Sequence, residues 1–287
     1  MLGSLLVIVI VAGLMAFFAE PEQALIEFIG WRLFQADVTA RGEVRSGQAQ
    51  LHYQIFGKGK PVVLLHGGAS LSEIFMGQIP ELSRHFRVIT TDSRGQGRSS
   101  RGVLSLTYHT LSADVFQVMD SLGVPKADVV GWSDGGITGL VMTLEHPERI
   151  GKLVAISANR TPEGISSGPD SEFDHVPGFI SWLAYRLSSP HPEKWQTLQD
   201  ELVALWTTLP QIRLSDLAEI ANPVLLIAGE HDIVSIPHLQ EMQNAIPDSR
   251  LAIVRDAGHD LLIWHSRELN DVILGFLQEP ASNENPD

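Results

Sequence analysis

Cysteine is absent from all 287 residues of this chain. Its absence excludes disulfide bonds, a thiolate nucleophile and any metal site built on cysteine ligands. No His-Glu-x-x-His sequence or comparable spacing of histidines and carboxylates suggests another kind of metal site. We therefore expect neither a metal ion nor another cofactor.

Basic residues are scarce. The chain has 20 Lys and Arg against 34 Asp and Glu, which gives a formal net charge of −14. Because nucleic acids are bound largely through their phosphates, this balance argues against nucleic acid as a partner. Acidity can steer cationic substrates toward a protein, and it also aids solubility. A length of 287 residues with 44% hydrophobic residues suits one large α/β domain carrying an insertion.

Charged side chains are missing from residues 1–19, where Ser4 is the one conventionally polar residue. At about 1.5 Å per residue, a helix of that length approaches the ~30 Å hydrocarbon core of a bilayer. A cleaved signal peptide would normally begin with Lys or Arg and exit through small residues, whereas bulky Phe17 lies near the exit here. We predict an uncleaved membrane anchor, with a cleaved signal on a secreted or periplasmic protein as the alternative. Nearby basic residues are too few to set its orientation.

A strand, a sharp turn and a helix are predicted around one serine, in the sequence Gly131-Trp132-Ser133-Asp134-Gly135-Gly136. The G-x-S-x-G pattern in this context is typical of a nucleophile elbow. Small residues around the serine permit close backbone approach, and the hydroxyl projects above the sheet edge. The alternative is a glycine-rich turn with a capping serine.

Apolar runs predict buried strands that alternate with amphipathic helices over most of the chain, as in a mostly parallel α/β sheet. Residues 57–60, Gly-Lys-Gly-Lys, are interpreted as a hairpin turn. The alternation of strands and helices stops at residues 158–221, and these residues predict a helical cap inserted into the sheet domain. The tryptophans of this cap either line a substrate pocket or anchor the cap to the core. The predicted divisions are an anchor (1–19), a linker (20–46), a core in two parts (47–157 and 222–278), the cap (158–221) and a polar tail (279–287).

Loops after three predicted strands carry Ser133, Asp232 and His259, in that chain order. A serine hydroxyl needs a base to remove its proton, and imidazole serves near neutral pH. A carboxylate fixes the imidazole tautomer and stabilises the imidazolium. Asp256 is a competing candidate for the acid. His231 and Asp260 lie directly beside the assigned residues in the sequence.

Residues 47–278 resemble the α/β-hydrolase superfamily. Besides the elbow, the matching pieces are His66-Gly67-Gly68, Asp92-Ser93-Arg94-Gly95, Gly229-Glu230-His231-Asp232 and Gly258-His259. The resemblance implies that Ser133 is the nucleophile, Asp232 the acid and His259 the base. It also implies that the backbone N–H groups of Gly68 and Asp134 stabilise the oxyanion. Ala69 replaces the last glycine of an HGGG motif, which argues against esters of bulky tertiary alcohols.

Residues 131–138, Gly-Trp-Ser-Asp-Gly-Gly-Ile-Thr, are similar to the valacyclovir hydrolase (biphenyl hydrolase-like) group. In that group the aspartate after the nucleophile binds the α-amino group of an amino-acid ester, which implies a site for a cationic acyl group at Asp134. Alternatively, Asp134 is simply favoured by the dipole of the following helix. Trp132 and Trp182 are further expected substrate-binding residues.

The sequence thus predicts a membrane-tethered serine hydrolase that cleaves small carboxylic esters. An enol-lactonase, a C–C bond hydrolase or a perhydrolase could use the same three residues. Epoxide hydrolases and haloalkane dehalogenases are disfavoured, because they use a carboxylate where this elbow has Ser133. A ligand receptor or scaffold that keeps the fold is the alternative from another class of protein.

Overall fold

The computed structural model describes residues 38–166 and 178–280. The membrane anchor predicted for residues 1–19 lies outside these residues, as do most of the predicted linker and the end of the polar tail. Within the described ranges, no helix combines the length and the apolar character needed to cross a membrane.

An eight-stranded sheet organises the described chain. Its strands are β1 (Val38–Ser46), β2 (Ala49–Phe56), β3 (Pro61–Leu65), β4 (Arg87–Thr91), β5 (Ala127–Trp132), β6 (Ile150–Ile156), β7 (Val224–Gly229) and β8 (Ser249–Val254). They lie in the order β1-β2-β4-β3-β5-β6-β7-β8. β2 pairs antiparallel with β1 and β4, and all pairings from β4 to β8 are parallel. The prediction of a mostly parallel sheet is confirmed.

The start of the sheet differs from the sequence-based expectation in two ways. β1 occupies nine residues of the predicted linker and pairs with β2 across a turn in which Gly47 has a φ of 59°. The core therefore begins before residue 47. Residues 57–60 do not form a hairpin, because they lead from β2 to β3 and β4 lies between those strands. An alternating pattern identifies the two faces of a strand but not its neighbours.

Nine α-helices accompany the sheet in the described residues: α1 (Ile79–Leu82), α2 (Tyr108–Ser121), α3 (Asp134–Glu145), α4 (Gly178–Ser188), α5 (Trp195–Thr208), α6 (Leu214–Leu217), α7 (Ile236–Ala245), α8 (Leu261–Trp264) and α9 (Ser266–Gln278). The side chain of Thr107 caps α2 by accepting the N–H of Thr110. Gly123, with a φ of 63°, follows the end of the same helix. These local signals set the limits of α2, which packs on the sheet.

Both faces of the central strands are buried. In β3, Val63 and Leu65 belong to the core shared with α2 and α3, whereas Val62 and Leu64 belong to the core shared with α1, α8 and α9. Each fully buried side chain of this size contributes about 1.5–3 kcal/mol. The continuous apolar run of β3 is therefore the sequence of a strand that has no solvent-facing side.

Helices α4, α5 and α6 form a cap between β6 and β7, where the alternation of strands and helices stops. Helix α5 buries Leu198, Leu202 and Leu205, one apolar face at helical spacing, in the core shared with α2 and α3. On the same helix, Glu201 accepts two hydrogen bonds of 2.8 Å from the guanidinium of Arg101. The cap is thus fixed to the sheet domain by apolar packing and by a bidentate ion pair.

Candidate active site

Ser133 lies at the bend between β5 and α3, with a φ of 54° and a ψ of −122°. A positive φ in a residue other than glycine costs about 1–3 kcal/mol and persists where the surroundings impose it. A Cβ on Gly131 would lie 2.2 Å from the carbonyl oxygen of Gly135, and one on Gly135 would lie 2.0 Å from that of Leu65. Only glycine fits these two positions, so the sequence around Ser133 is the one a tight elbow requires.

Ser133, His259 and Asp232 form a continuous line of hydrogen bonds. Ser133 Oγ lies 3.1 Å from His259 Nε2, and His259 Nδ1 lies 2.8 Å from Asp232 Oδ1. A carboxylate acceptor beside Nδ1 keeps a proton on that nitrogen and leaves Nε2 free to accept one from the serine. The structure thus brings together three side chains that the sequence placed after β5, β7 and β8.

The carboxylate of Asp232 is buried and surrounded by donors. The backbone N–H of Val234 donates to Oδ1 at 3.1 Å, and that of Gly229 donates to Oδ2 at 3.3 Å. The hydroxyl of Ser157 also donates to Oδ2. Burial alone would raise the pKa of this carboxyl, but the neighbouring His259 and the hydrogen bonds from Ser157 and Val234 hold the pKa below its usual value. Asp232 is therefore an anion at neutral pH and can stabilise an imidazolium.

Trp132 supports the loop that carries His259. Its indole N–H donates to the backbone carbonyl of His259 at 2.8 Å, and the two ring centroids lie 5.2 Å apart. Trp132 is buried and also lines the cavity beside Ser133. Trp132, which was expected to contact substrate, thus packs beside the imidazole and binds the backbone of His259.

The loop after β3 passes directly beside the elbow. A Cβ on Gly67 would lie 3.0 Å from the Cβ of Ser133, and one on Gly68 would lie 2.5 Å from the carboxylate of Asp134. Asp134 is the first residue of α3, where backbone N–H groups have no partner inside the helix. Gly68 therefore lies against the side chain of Asp134, and its neighbour Gly67 lies against Ser133.

His66 fixes the shape of this loop. The backbone N–H of Ser93 donates to His66 Nε2 at 2.9 Å, so the proton of the neutral ring lies on Nδ1. Nδ1 in turn donates to the carbonyl oxygen of Gly67 at 2.7 Å. The histidine of the His-Gly-Gly sequence thus holds the turn, and the glycines allow it to approach Ser133.

The carboxyl of Asp134 is buried between the sheet domain and the cap. Its Oδ1 accepts a hydrogen bond of 2.8 Å from the hydroxyl of Tyr108, and both of its oxygens lie 3.0 Å from the indole nitrogen of Trp206. Burial raises the pKa of Asp134, although these two hydrogen bonds oppose the change. Burial and the charge of Asp134 raise the pKa of Tyr108. Asp134 therefore joins the elbow to the cap. A favourable helix dipole alone would not account for this contact with the cap.

A cavity of about 830 Å³ opens beside Ser133, within the size range of small-molecule sites. Its described apolar side chains include Ile74, Ile165, Val203, Leu209 and Ile233. Its carboxylates are Asp134, Glu163 and Asp260, and the described lining contains no Lys or Arg. The cavity is thus largely apolar, with a negative charge balance.

The cap contributes Trp206 to this cavity, whereas Trp182 lies outside the described lining. Trp182 instead lies near Arg186, whose guanidinium carbon is 5.5 Å from the centroid of its ring. The expectation that Trp182 contacts substrate therefore has no support from its position. A tryptophan in a helix of unknown orientation gives no indication of which face meets the site.

Asp256 does not replace Asp232 as the partner of His259, since Asp232 accepts the Nδ1 hydrogen bond. Asp256 lies instead in an exposed group with Glu230 and His231, whose possible ligand atoms are within 4.8 Å of one another. Such a group could hold a divalent cation, but exposed acidic clusters are common without one.

Sequence reasoning missed the contacts of three side chains around the site: Tyr108, Trp206 and Ser157. Their hydrogen bonds join residues that are 26, 72 and 75 positions apart in the chain. Tyr108 and Trp206 both bind Asp134, and Ser157 binds Asp232. No short motif or periodicity records contacts at such separations, so only the folded chain reveals them.

The sequence profile of the α/β-hydrolase fold matches residues 60–183. A putative carbamate hydrolase, RutD, from Caulobacter segnis is 39% identical over 255 residues, which cover 79% of this chain and 96% of that protein. This chain therefore belongs to the α/β-hydrolase family.

Solved structures show the same fold. Carboxylesterase CesB (YbfK) from Bacillus subtilis superposes with a TM-score of 0.71 at 24% identity, over 90% of this chain and 99% of that one. The enol-lactonase from Burkholderia xenovorans superposes with a TM-score of 0.68 at 22% identity, over 83% of this chain and 100% of that one. At such identities the likeness concerns the fold and not the substrate.

Proposed function

We propose that this protein is a serine hydrolase that cleaves small carboxylic esters through an acyl-enzyme. The observation that carries the proposal is the line of hydrogen bonds from Ser133 through His259 to Asp232, beside a cavity. A nucleophile, a base and an anion that orients the base are the three groups that acyl transfer by serine needs.

In the first half of the proposed reaction, His259 Nε2 takes the proton of Ser133 as Oγ attacks the acyl carbon. The carbonyl electron pair moves to oxygen, and the resulting oxyanion accepts hydrogen bonds from the backbone N–H groups of Gly68 and Asp134. His259 then gives its proton to the leaving alcohol as the C–O bond breaks. The carboxylate of Asp232 stabilises the imidazolium throughout.

The second half repeats these roles with water. His259 removes a proton from a water molecule that attacks the acyl carbon of the Ser133 ester. The same oxyanion donors stabilise the second tetrahedral intermediate. Its collapse returns the proton to Ser133 Oγ and releases the carboxylic acid, so the enzyme regains its initial state.

The character of the cavity supports small, largely apolar esters without negative charge. Apolar side chains from the cap and the sheet domain supply much of its wall, and its ionisable side chains include the three carboxyl groups of Asp134, Glu163 and Asp260. An anionic group on the substrate would have to be desolvated near these carboxyl groups, which is costly in a site of low dielectric constant. Neutral acyl groups avoid this penalty.

Carbamates and lactones present the same kind of acyl carbon to Ser133. The RutD relative is named as a putative carbamate hydrolase. Nitrogen donates electron density to a carbamate carbonyl, so we expect the serine to attack carbamates more slowly than esters of the same alcohol. Lactone opening and C–C bond cleavage remain alternatives with the same three residues.

Amino-acid esters are a second candidate, favoured by one observation. Asp134 directly follows the nucleophile and is one of the residues that line the cavity. An α-amino group on the acyl part of the substrate could donate to it. Under this hypothesis Asp134→Asn raises KM for aminoacyl esters selectively. An equal loss on matched neutral esters would remove the support for this candidate.

The proposal is tested with a panel of p-nitrophenyl short-chain esters, an aryl carbamate and lactones on the full chain. We expect fastest turnover of the esters and no turnover by Ser133→Ala. Ester turnover near the wild-type rate in Ser133→Ala would refute the assignment. A folded wild-type protein that turns over none of these compounds would favour the receptor or scaffold.

We also propose that residues 1–19 anchor the enzyme to a membrane, on the basis of their apolar sequence. Fractionation of cells expressing the full chain or a chain without these residues tests this. The full chain should sediment with membranes and resist salt extraction. An equal distribution of the two chains in the soluble fraction would contradict the anchor.

A further inference from the structure

We infer that Ser157 is a positioning residue, whose hydroxyl holds the carboxylate of Asp232 in the orientation that His259 requires. The inference rests on the proposed function, because it assigns Asp232 a part in catalysis. It concerns a side chain that carries no motif and lies directly after β6.

The two oxygens of Asp232 are held unequally. Oδ1 accepts from His259 at 2.8 Å and from the backbone N–H of Val234 at 3.1 Å. Oδ2 accepts a long hydrogen bond of 3.3 Å from the N–H of Gly229, so the hydroxyl of Ser157 supplies its close contact. An aspartate carboxylate turns readily about its Cβ–Cγ bond, since that torsion is broad. The hydroxyl on Oδ2 therefore limits how far Oδ1 can turn from the imidazole.

The backbone at Ser157 is shaped to aim this hydroxyl. Ser157 has a φ of 53° and is buried, and its N–H donates to the carbonyl oxygen of Ile227 at 2.7 Å. Glycine adopts such a conformation at little cost, whereas serine is strained there. The strained residue thus bears the hydroxyl that is hydrogen-bonded to Asp232. Strain of this kind clusters at functional sites.

Ser112 provides a matched control elsewhere in the protein. It is buried, and its hydroxyl donates to the carboxylate of Glu145 at 2.6 Å, so it makes the same type of contact. Glu145 ends α3, whereas Ser133 precedes the first residue of that helix. At 1.5 Å per residue, the 12-residue helix places Glu145 roughly 17 Å along its axis from the elbow. Loss of the Ser112 hydroxyl therefore removes a comparable hydrogen bond without touching the triad.

Without the Ser157 hydroxyl, the pKa of Asp232 should rise, because that hydrogen bond is one of the contacts that lower it. The carboxylate should also orient the imidazole less firmly. We expect kcat to fall on the order of 10-fold, well short of the ~10⁴-fold lost when the acid of such a triad is replaced. KM should change by less than about twofold, since Ser157 does not line the cavity.

The experiment compares Ser157→Ala, Ser157→Gly and Ser112→Ala with the wild type. kcat and KM are measured on a p-nitrophenyl ester against pH, and the pKa of Asp232 is measured by ¹³C NMR of its carboxyl carbon. Both Ser157 variants should lose kcat, show a raised pKa of Asp232 and have the acid limb of kcat/KM moved to higher pH. Ser112→Ala should match the wild type in all three.

Wild-type kcat and Asp232 pKa in folded Ser157→Ala would overturn the inference. Retention of activity by Ser157→Gly alone would also overturn it, because the backbone rather than the hydroxyl would then matter. Failure of the wild type to cleave any ester would count against the proposed function instead. The Asp232 titration would still decide whether Ser157 controls the carboxylate.

Discussion

Trp206 of the cap donates its indole N–H to the carboxyl of Asp134, the residue that directly follows the elbow serine. The ring of the same tryptophan lies against Gly68, where a Cβ would come within 2.5 Å of it. One cap side chain therefore touches both residues whose backbone N–H groups are the proposed oxyanion donors. Through this contact the placement of the cap and the geometry of the oxyanion site are linked.

Replacing Trp206 by phenylalanine keeps an aromatic ring over Gly68 but removes the donor to Asp134. We expect KM for small esters to rise several-fold, because the cap loses its hydrogen bond to the elbow and the cavity wall shifts. kcat and KM on a p-nitrophenyl ester measure the effect. Trp182→Phe, the same change outside the described lining, is the comparison. A larger loss from Trp182→Phe than from Trp206→Phe would contradict the structure of the site.

Asp134→Asn should change how stability depends on pH. Since burial raises the pKa of Asp134 in the folded protein, the carboxyl favours folding below its unfolded pKa of about 3.9. That contribution is lost as the pH rises through the folded pKa, where a buried group must ionise. Asparagine does not titrate. The free energy of unfolding of the wild type relative to the variant should therefore decrease from about pH 4 upward.

Urea denaturation of both proteins across this pH range measures the difference. A wild-type advantage that grows as the pH rises would show that the hydrogen bonds from Tyr108 and Trp206 outweigh burial. In that case the folded pKa of Asp134 would lie below its unfolded value.

The charge of the cavity wall predicts selection among esters of matched size. A p-nitrophenyl ester of a neutral acid should be cleaved with higher kcat/KM than one whose acyl chain ends in a carboxylate. Glu163→Gln and Asp260→Asn should each narrow that gap, because each removes one anion from the wall. The gap should also narrow as salt is added, since the interaction is screened. Preference for the anionic ester would contradict this account of the cavity.

The sequence predicted the central part of the fold because local patterns determine it. The continuous apolar run of β3 indicated a strand buried on both faces, and the glycines around Ser133 indicated a turn that excludes any Cβ. Parallel strands end at the same edge of a sheet, so three loop residues could be placed together in advance. Local patterns do not show which strands lie next to each other in the sheet. For this reason residues 57–60 were wrongly interpreted as a hairpin.

Contacts between the cap and the core depend on tertiary structure and escaped prediction. Trp182 and Trp206 are alike in sequence terms, and only the docking of α5 through its buried leucines directs Trp206 to the cavity. Ser157 likewise acquires its partner through the adjacency of β6 and β7. Side chains that contact the site from a distant segment of the chain can therefore be identified only in the folded structure.

The most direct test of the central claim is covalent labelling by a fluorophosphonate, located by mass spectrometry. Phosphonylation requires a serine activated by a base, so it reports on Ser133, His259 and Asp232 before any substrate is known. We predict rapid labelling of the wild type at Ser133, none at that position in Ser133→Ala, and labelling slowed by orders of magnitude in His259→Ala. A correctly folded wild type that resists the probe, or equal labelling rates in the wild type and His259→Ala, would contradict the account.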